Sequence, residues 1–229
     1  MSPLNAIEVR CENPSPRLEY VLDFVGQHIG VDFRITPDHQ ASSNENIQIC
    51  YGSNPQQECF SIFASGFLAE NSIRSFEPEV IKENNLTLLF PAPNGYALSM
   101  DLFSSIFYLL SRYEEYLPFK ADRHGRFEAS ESIAFRHHFL DEPVIDQWLK
   151  QFKDILKKHF PDIAFQKNSF LFQPTMDVDQ PWAYKNMSPL RVLRKFSGHL
   201  YRSEFRQAWN LVLVRLGQLH DCFDTFDYL

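Results

Sequence analysis

Ser169-Phe170-Leu171-Phe172-Gln173-Pro174-Thr175-Met176-Asp177-Val178-Asp179 joins a short apolar run to two aspartates one residue apart. The run from Ser169 to Gln173 predicts a strand, and residues two apart in a strand share a side. Where a strand ends the backbone bends, so two such carboxylates can converge on one site. One would then hold a divalent metal and the other would take a proton from metal-bound water. Close carboxylates repel each other, and a bound cation helps keep both ionised. The same spacing also fits a turn in which two solvated aspartates cap the next segment.

Upstream of this stretch, helical and strand-like segments alternate. Ser15-Pro16 reads as a cap followed by proline at the first helical position, and Leu18, Val21, Leu22, Val25 and Ile29 recur at helical spacing up to Gly30. Residues 31–46 read as a polar loop. Ile47–Tyr51, Cys59–Phe63 and Leu86–Phe90 are short β-prone runs separated by turn chemistry such as Gly52-Ser53-Asn54-Pro55. Asp101 caps a helix whose broad apolar face runs from Leu102 to Tyr113, with Pro118 as its stop. Pro143 opens a second, strongly amphipathic helix carrying Val144, Trp148, Leu149, Phe152 and Leu156, and Pro161 ends it. The expected class is α/β, with a boundary near residue 165.

Downstream, Ser188-Pro189 starts another helix with Leu190, Leu193 and Phe196 on one face. Phe205, Ala208, Val212 and Leu216 mark a further helix ended by Gly217. Between Gln180 and Leu219 seven bases face one acid, Glu204, for a net of +6; the whole chain carries −7, so the remainder carries −13. The basic block reads either as a solvated helix face or as a surface for an acidic glycan, lipid head groups or the acidic N-terminal part. Trp182, Tyr184, Tyr201 and Trp209 interleave with it.

Composition narrows the field. With 44% hydrophobic residues and 22 phenylalanines the chain can build a core and is not a disordered segment. A pI near 5.6 argues against a general nucleic-acid binder. Cys11, Cys50, Cys59 and Cys222 form no Cys-x-x-Cys pair and read as thiols. Met1–Arg10 lacks a signal-peptide pattern and no stretch approaches a transmembrane span, so the expected location is cytoplasmic.

The stretch Phe170–Asp179, in its T-x-D-x-D form, resembles the first motif of the polysaccharide deacetylase family. Phe107–Pro118, Asp122–Phe127, Pro143–Trp148 and Asp221–Leu229 resemble the domain that precedes that barrel in bacterial deacetylase-like proteins and the stretch leading to its next helix. The resemblance implies an α/β accessory domain over residues 1–165. It also implies that residues 166–229 are the incomplete N-terminal part, first strand and helical insertion, of a distorted (β/α) barrel. The implied activity is metal-dependent hydrolysis of acetyl groups on a glycan. Asp177 matches the general base and Asp179 a ligand to zinc or a similar divalent metal. The family's His-x-x-x-His ligands have no counterpart in these 229 residues, so this chain alone is expected to hold an incomplete, inactive metal site. Thr225-Phe226-Asp227 mimics a related form of the motif, but Tyr228 stands where the second aspartate would be.

Arg112, Glu114, Glu115, Arg123, His124 and Arg126 crowd one short stretch. They read as a ligand-facing or interdomain surface, or as an ion-paired structural loop. His137-His138 are adjacent and would point to opposite faces of a strand; His199 and His220 stand alone. The rival to the hydrolase reading is a non-enzymatic binding or assembly module with a vestigial Asp-x-Asp. Exposed helix faces would give either one a route to self-association through residues 185–216.

Overall fold

The strand that organises the first unit is one that no hydrophobic run singles out. Ile7, Val9 and Cys11 are buried while Glu8 and Arg10 alternate with them, and this period of two makes Ala6–Cys11 the strand β1. The computed structural model describes residues 6–37, 47–56, 59–166, 170–175, 177 and 181–224. Its contacts divide the chain into two units, Met1–Ser169 and Phe170–Leu229.

In the first unit β1 lies inside a parallel sheet. It pairs with β2 (Asp32–Pro37) on one side and β3 (Ile47–Gly52) on the other, and β4 (Phe60–Phe63) extends the sheet beyond β3. Val9 is level with Ile35 and Ile49, and Ile49 with Phe60, so one face is a continuous apolar surface. Glu8, Arg10, Arg34 and Gln48 occupy the alternate positions. The expected loop over 31–46 therefore contains a strand, whose half-polar edge pattern hides it.

Three helices cover the apolar face. In α1 (Pro16–Ile29), the Ser15 hydroxyl accepts the Leu18 N–H at 3.2 Å and donates to the Leu68 carbonyl at 2.6 Å, fixing both the helix and its neighbour loop. The helix ends at Gly30, with φ of 81°, where a Cβ would stand 2.3 Å from the Gln166 carbonyl oxygen. A hairpin of β5 (Val80–Glu83) and β6 (Leu86–Leu89) turns on Asn84 and Asn85, whose φ values of 49° and 64° suit asparagine. Then come α2 (Leu102–Leu110), the short α3 (Ile133–Arg136) and α4 (Val144–His159). Trp148, Phe152 and Leu156 of α4 are fully buried, and the Trp148 indole N–H donates to the Thr87 carbonyl at 2.8 Å. The apolar pattern of α2 runs on to Tyr113, but the helix stops early. Arg112 takes φ of 52°, and a single 3-10 turn, Tyr113–Tyr116, follows.

Asp101 is wholly buried and serves three neighbours. It accepts the Ser104 N–H at 3.0 Å and the Ser104 hydroxyl at 2.6 Å, capping α2. It also accepts the Ser65 N–H at 2.7 Å, and the Tyr51 hydroxyl lies 3.0 and 3.1 Å from its two oxygens. Burial raises the Asp101 carboxyl above its ordinary pKa despite these donors, and raises the Tyr51 hydroxyl well above its own.

Cys50 and Cys59 form a disulfide, which corrects the expectation of four thiols. The parallel register sets Cys50 opposite Ser61, two residues past Cys59, and brings their Cα atoms to 6.0 Å. Such bridges persist in oxidising compartments. No helix among the described residues is long and apolar enough to cross a membrane.

In the second unit α5 (Pro189–Tyr201) and α6 (Phe205–Arg215) pack on each other across the turn Arg202-Ser203-Glu204. Tyr184, Leu211 and Val214 form the buried centre, with Val192 against it. Asp221 is buried beside them. Its carboxylate accepts backbone N–H groups of Ala183, Tyr184, Lys185 and Phe223 at 2.7–3.1 Å. The strand expected over Ser169–Gln173 is not present in its described part. Residues 170–175 are irregular, no strand pairs with them among the described residues, and Phe170, Leu171 and Phe172 are 91, 78 and 76% exposed.

Two stability predictions follow from these buried carboxylates. Asp101→Ala should cost roughly 3 kcal/mol by urea unfolding, a lost cap plus an orphaned Ser65 N–H, while Tyr51→Phe should cost about 1 kcal/mol. Equal costs would mean that the tyrosine contact, not the cap, carries the centre. Burial alone would raise the Asp221 carboxyl, but its four backbone donors outweigh that and lower it. A lowered folded pKa gives stability that is present above the unfolded value and lost as pH falls through the folded one. Acid titration should therefore loosen the second unit below about pH 4. Asp221→Asn should weaken it at neutral pH and flatten that acid response.

Candidate functional site

The break at Arg112 turns the chain so that Glu114 faces a cleft of about 380 Å³ in the first unit. Its walls are aromatic. Phe76 lies on one side, and Phe119 and Phe127 meet edge to face at 5.0 Å on the other. Tyr108, from the last turns of α2, forms part of the lining. Arg136, at the end of α3, holds Glu77 through two contacts of 2.8 and 2.9 Å and stands 3.8 Å from Glu114.

Glu114 also accepts the Ile133 N–H at 2.6 Å, so the same carboxylate that faces the cleft anchors the start of α3. Desolvation raises the Glu114 carboxyl, and the Ile133 N–H and Arg136 only partly oppose it. Burial, with Glu114 and Glu77 nearby, also pushes the Tyr108 hydroxyl up. The result is a concave site with aromatic side chains, three carboxylates (Glu77, Glu114 and Glu131), a guanidinium and a phenol. Such a combination can stack on a ring while satisfying polar groups at its rim.

Of the six residues expected to form one surface, only Glu114 lines this cleft. Arg112 and Glu115 pair with each other on the 3-10 turn. Arg123, His124 and Arg126 belong to an exposed turn built on Asp122, which accepts the His124 and Arg126 N–H groups at 2.7 and 2.8 Å. Arg123 donates to His124 at 3.0 Å. The turn is self-satisfied, and it is Phe127 just beyond it that reaches the cleft. Glu77 and Arg136 were not anticipated. They lie 59 residues apart in sequence and meet only through the fold.

Asp177 is exposed in irregular chain, and Asp179 lies outside the described residues, as do Thr225 and Asp227. Among the described residues no three His, Cys, Asp or Glu side chains gather as a metal site. Asp177 is exposed and Asp179 lies outside the described residues, so the described residues alone do not make a divalent metal centre. His137 ends α3, and His138 follows it with φ of 57°.

A smaller hollow of about 150 Å³ opens at the carboxyl ends of β1 and β3, beside Cys11, Tyr51, Gly52 and Gly66. It lies where the strand order reverses, the usual crevice of open α/β sheets. It is less than half the volume of the cleft and presents fewer charges.

The first unit is thus an open parallel α/β domain with an aromatic, charged cleft at one side. The chain belongs to a family of unknown function, DUF7033, which matches residues 7–161. The match spans the sheet, all four helices of the first unit and the whole cleft; Asp177, Asp179 and the second unit lie beyond it. No curated protein and no solved structure matches the chain.

Glu114 can be tested apart from any ligand. Its raised folded pKa means that protonation favours the fold, so stability should rise as pH drops through that value. Glu114→Gln keeps an acceptor for the Ile133 N–H and should stay within about 1 kcal/mol of the parent at neutral pH. Glu114→Ala orphans that N–H and should lose roughly 1–3 kcal/mol. Urea midpoints across pH 4–8 would separate the three proteins.

Proposed function

We propose that this chain is the glycan-binding N-terminal portion of a metal-dependent polysaccharide deacetylase-like hydrolase. In this reading residues 1–165 are the accessory domain and residues 166–229 begin the catalytic barrel. The observation that carries it is the cleft. Phe76, Phe119 and Phe127 offer flat apolar faces to a pyranose ring, while Glu77, Glu114 and Arg136 sit at the rim where its hydroxyl and acetamido groups would lie. The T-x-D-x-D resemblance supplies the reaction class. Asp177 would act as base and Asp179 as a ligand to zinc or a similar metal, and the remaining ligands would come from outside this chain.

The apolar run Phe170-Leu171-Phe172 supports the same reading, since it has the composition of an interior strand yet is exposed among the described residues. The rival, a non-enzymatic assembly module that self-associates through residues 185–216, draws on exposed side chains in α5 and α6. The +6 charge of that block opposes it, because two copies would bring like charges together.

Calorimetric titration of the chain with N-acetylated chito-oligosaccharides should show binding that Arg136→Ala and Phe127→Ala each weaken at least tenfold. The chain should show no deacetylation with zinc or cobalt present. Absence of binding would remove the glycan reading of the cleft. Turnover that vanishes in Asp177→Asn would show that another residue or subunit completes the metal site.

A further inference from the structure

Helix α5 shows three faces at 100° per residue. Val192 and His199 turn toward the rest of the second unit. On the second face Arg191, Arg194, Lys195 and Arg202 form a basic stripe along a groove of about 910 Å³. Gly198 leaves a notch in that stripe, where a Cβ would meet nothing within 4 Å. The third face carries Leu190, Leu193 and Tyr201, which are 80, 66 and 92% exposed. Tyr201 lies about 20° around the helix from Arg194, so the apolar and basic faces adjoin.

Lys195 donates to the Ala183 carbonyl at 3.0 Å, while the three arginines of the stripe stay available. Arg191, Arg194 and Arg202 make no ion pair among the described residues. Three described acids of the same unit are engaged elsewhere. Glu204 pairs with His199 at 2.7 Å, Asp224 with Lys185 at 3.2 Å, and Asp221 is held by four backbone N–H groups. Among the described residues no acid lines the groove. A soluble anionic ligand would account for the guanidinium stripe but not for the apolar face beside it. A second copy of the chain would account for the apolar face but would set one basic stripe against another.

We propose that α5 seats this protein on an anionic phospholipid surface. Arg191, Arg194 and Arg202 lie against head-group phosphates, and Leu190, Leu193 and Tyr201 enter the boundary between head groups and acyl chains. A short amphipathic helix with arginines beside bulky apolar and aromatic residues has this mode of lying in an interface. Attachment is peripheral and reversible, resting on charge plus a modest apolar area.

The test is flotation of the full chain with vesicles of phosphatidylglycerol and phosphatidylcholine in equal parts, against phosphatidylcholine alone. The chain should float with the anionic vesicles, stay behind with the neutral ones, and be released by about 0.5 M salt. Arg191→Gln, Arg194→Gln and Arg202→Gln combined should weaken binding on the order of a hundredfold, at roughly fivefold per charge. The matching triple Arg→Lys variant should keep most of it, which guards against a folding defect. Leu193→Ser with Tyr201→Ser should reduce binding with the charges intact. Equal flotation with neutral vesicles, or undiminished flotation of the Arg→Gln variant, would overturn the proposal. So would capture by heparin without flotation, or a stable dimer in sedimentation that does not bind vesicles.

Discussion

The Asp101 carboxylate is the point on which the first unit turns. It sits at the start of α2 and gathers donors from three separate pieces: β3 through Tyr51, the loop after β4 through Ser65, and α2 itself through Ser104. A carboxylate buried in apolar surroundings is tolerable only when its lone pairs are satisfied. That requirement fixes where α2 begins relative to β3 and the loop after β4. From there the consequences run along the chain. The direction of α2 places Tyr108, the left-handed turn at Arg112 redirects the backbone, and Glu114 arrives beside α3, where it accepts the Ile133 N–H. Arg136 at the far end of α3 then reaches Glu77. The cleft is thus the downstream product of one buried acid and one positive-φ residue.

The helices of this protein were legible because their signals are local. Ser15-Pro16 and Asp101 act as caps within three residues of themselves, and the apolar stripes of α1, α2 and α4 repeat over several turns. The strands were less so. β3, β4 and β6 are short apolar runs and stand out. β1 is masked by Glu8 and Arg10 on its second face, β2 by Asp32 and Arg34, and β5 by Lys82 and Glu83. Alternation over six residues or fewer is weak evidence, and it is register with neighbours that makes these segments strands. The disulfide was hidden for the same reason, since Cys50 and Cys59 are brought together by the parallel pairing of β3 and β4.

The candidate site divides along similar lines. Residues 112–126 are dense in Arg, Glu and His, and one of them, Glu114, does face the cleft. The others satisfy one another over three or four residues, as charged turns commonly do. Glu77 and Arg136 had no local pattern to mark them. Their pairing is a tertiary fact, as is the way Phe76 from one loop and Phe119 and Phe127 from another face a common space.

The second unit is held together differently. Its apolar centre is small, three buried side chains with Val192 beside them, and a helical pair of 13 and 11 residues cannot cover both its own faces. What closes it is polar: Asp221 draws the backbone of residues 183–185 against that of Phe223. Stabilising the hairpin by hydrogen bonds rather than by a wide core leaves its outer faces free of structural duty. Those faces are where the bases accumulate and where Leu190, Leu193 and Tyr201 stand in water. A side chain such as leucine loses roughly 1.5–3 kcal/mol of favourable burial when left exposed, so several of them on one helix beside arginines without an ion pair among the described residues mark a contact surface. A surface that offers fixed negative charge above an apolar interior satisfies both requirements at once.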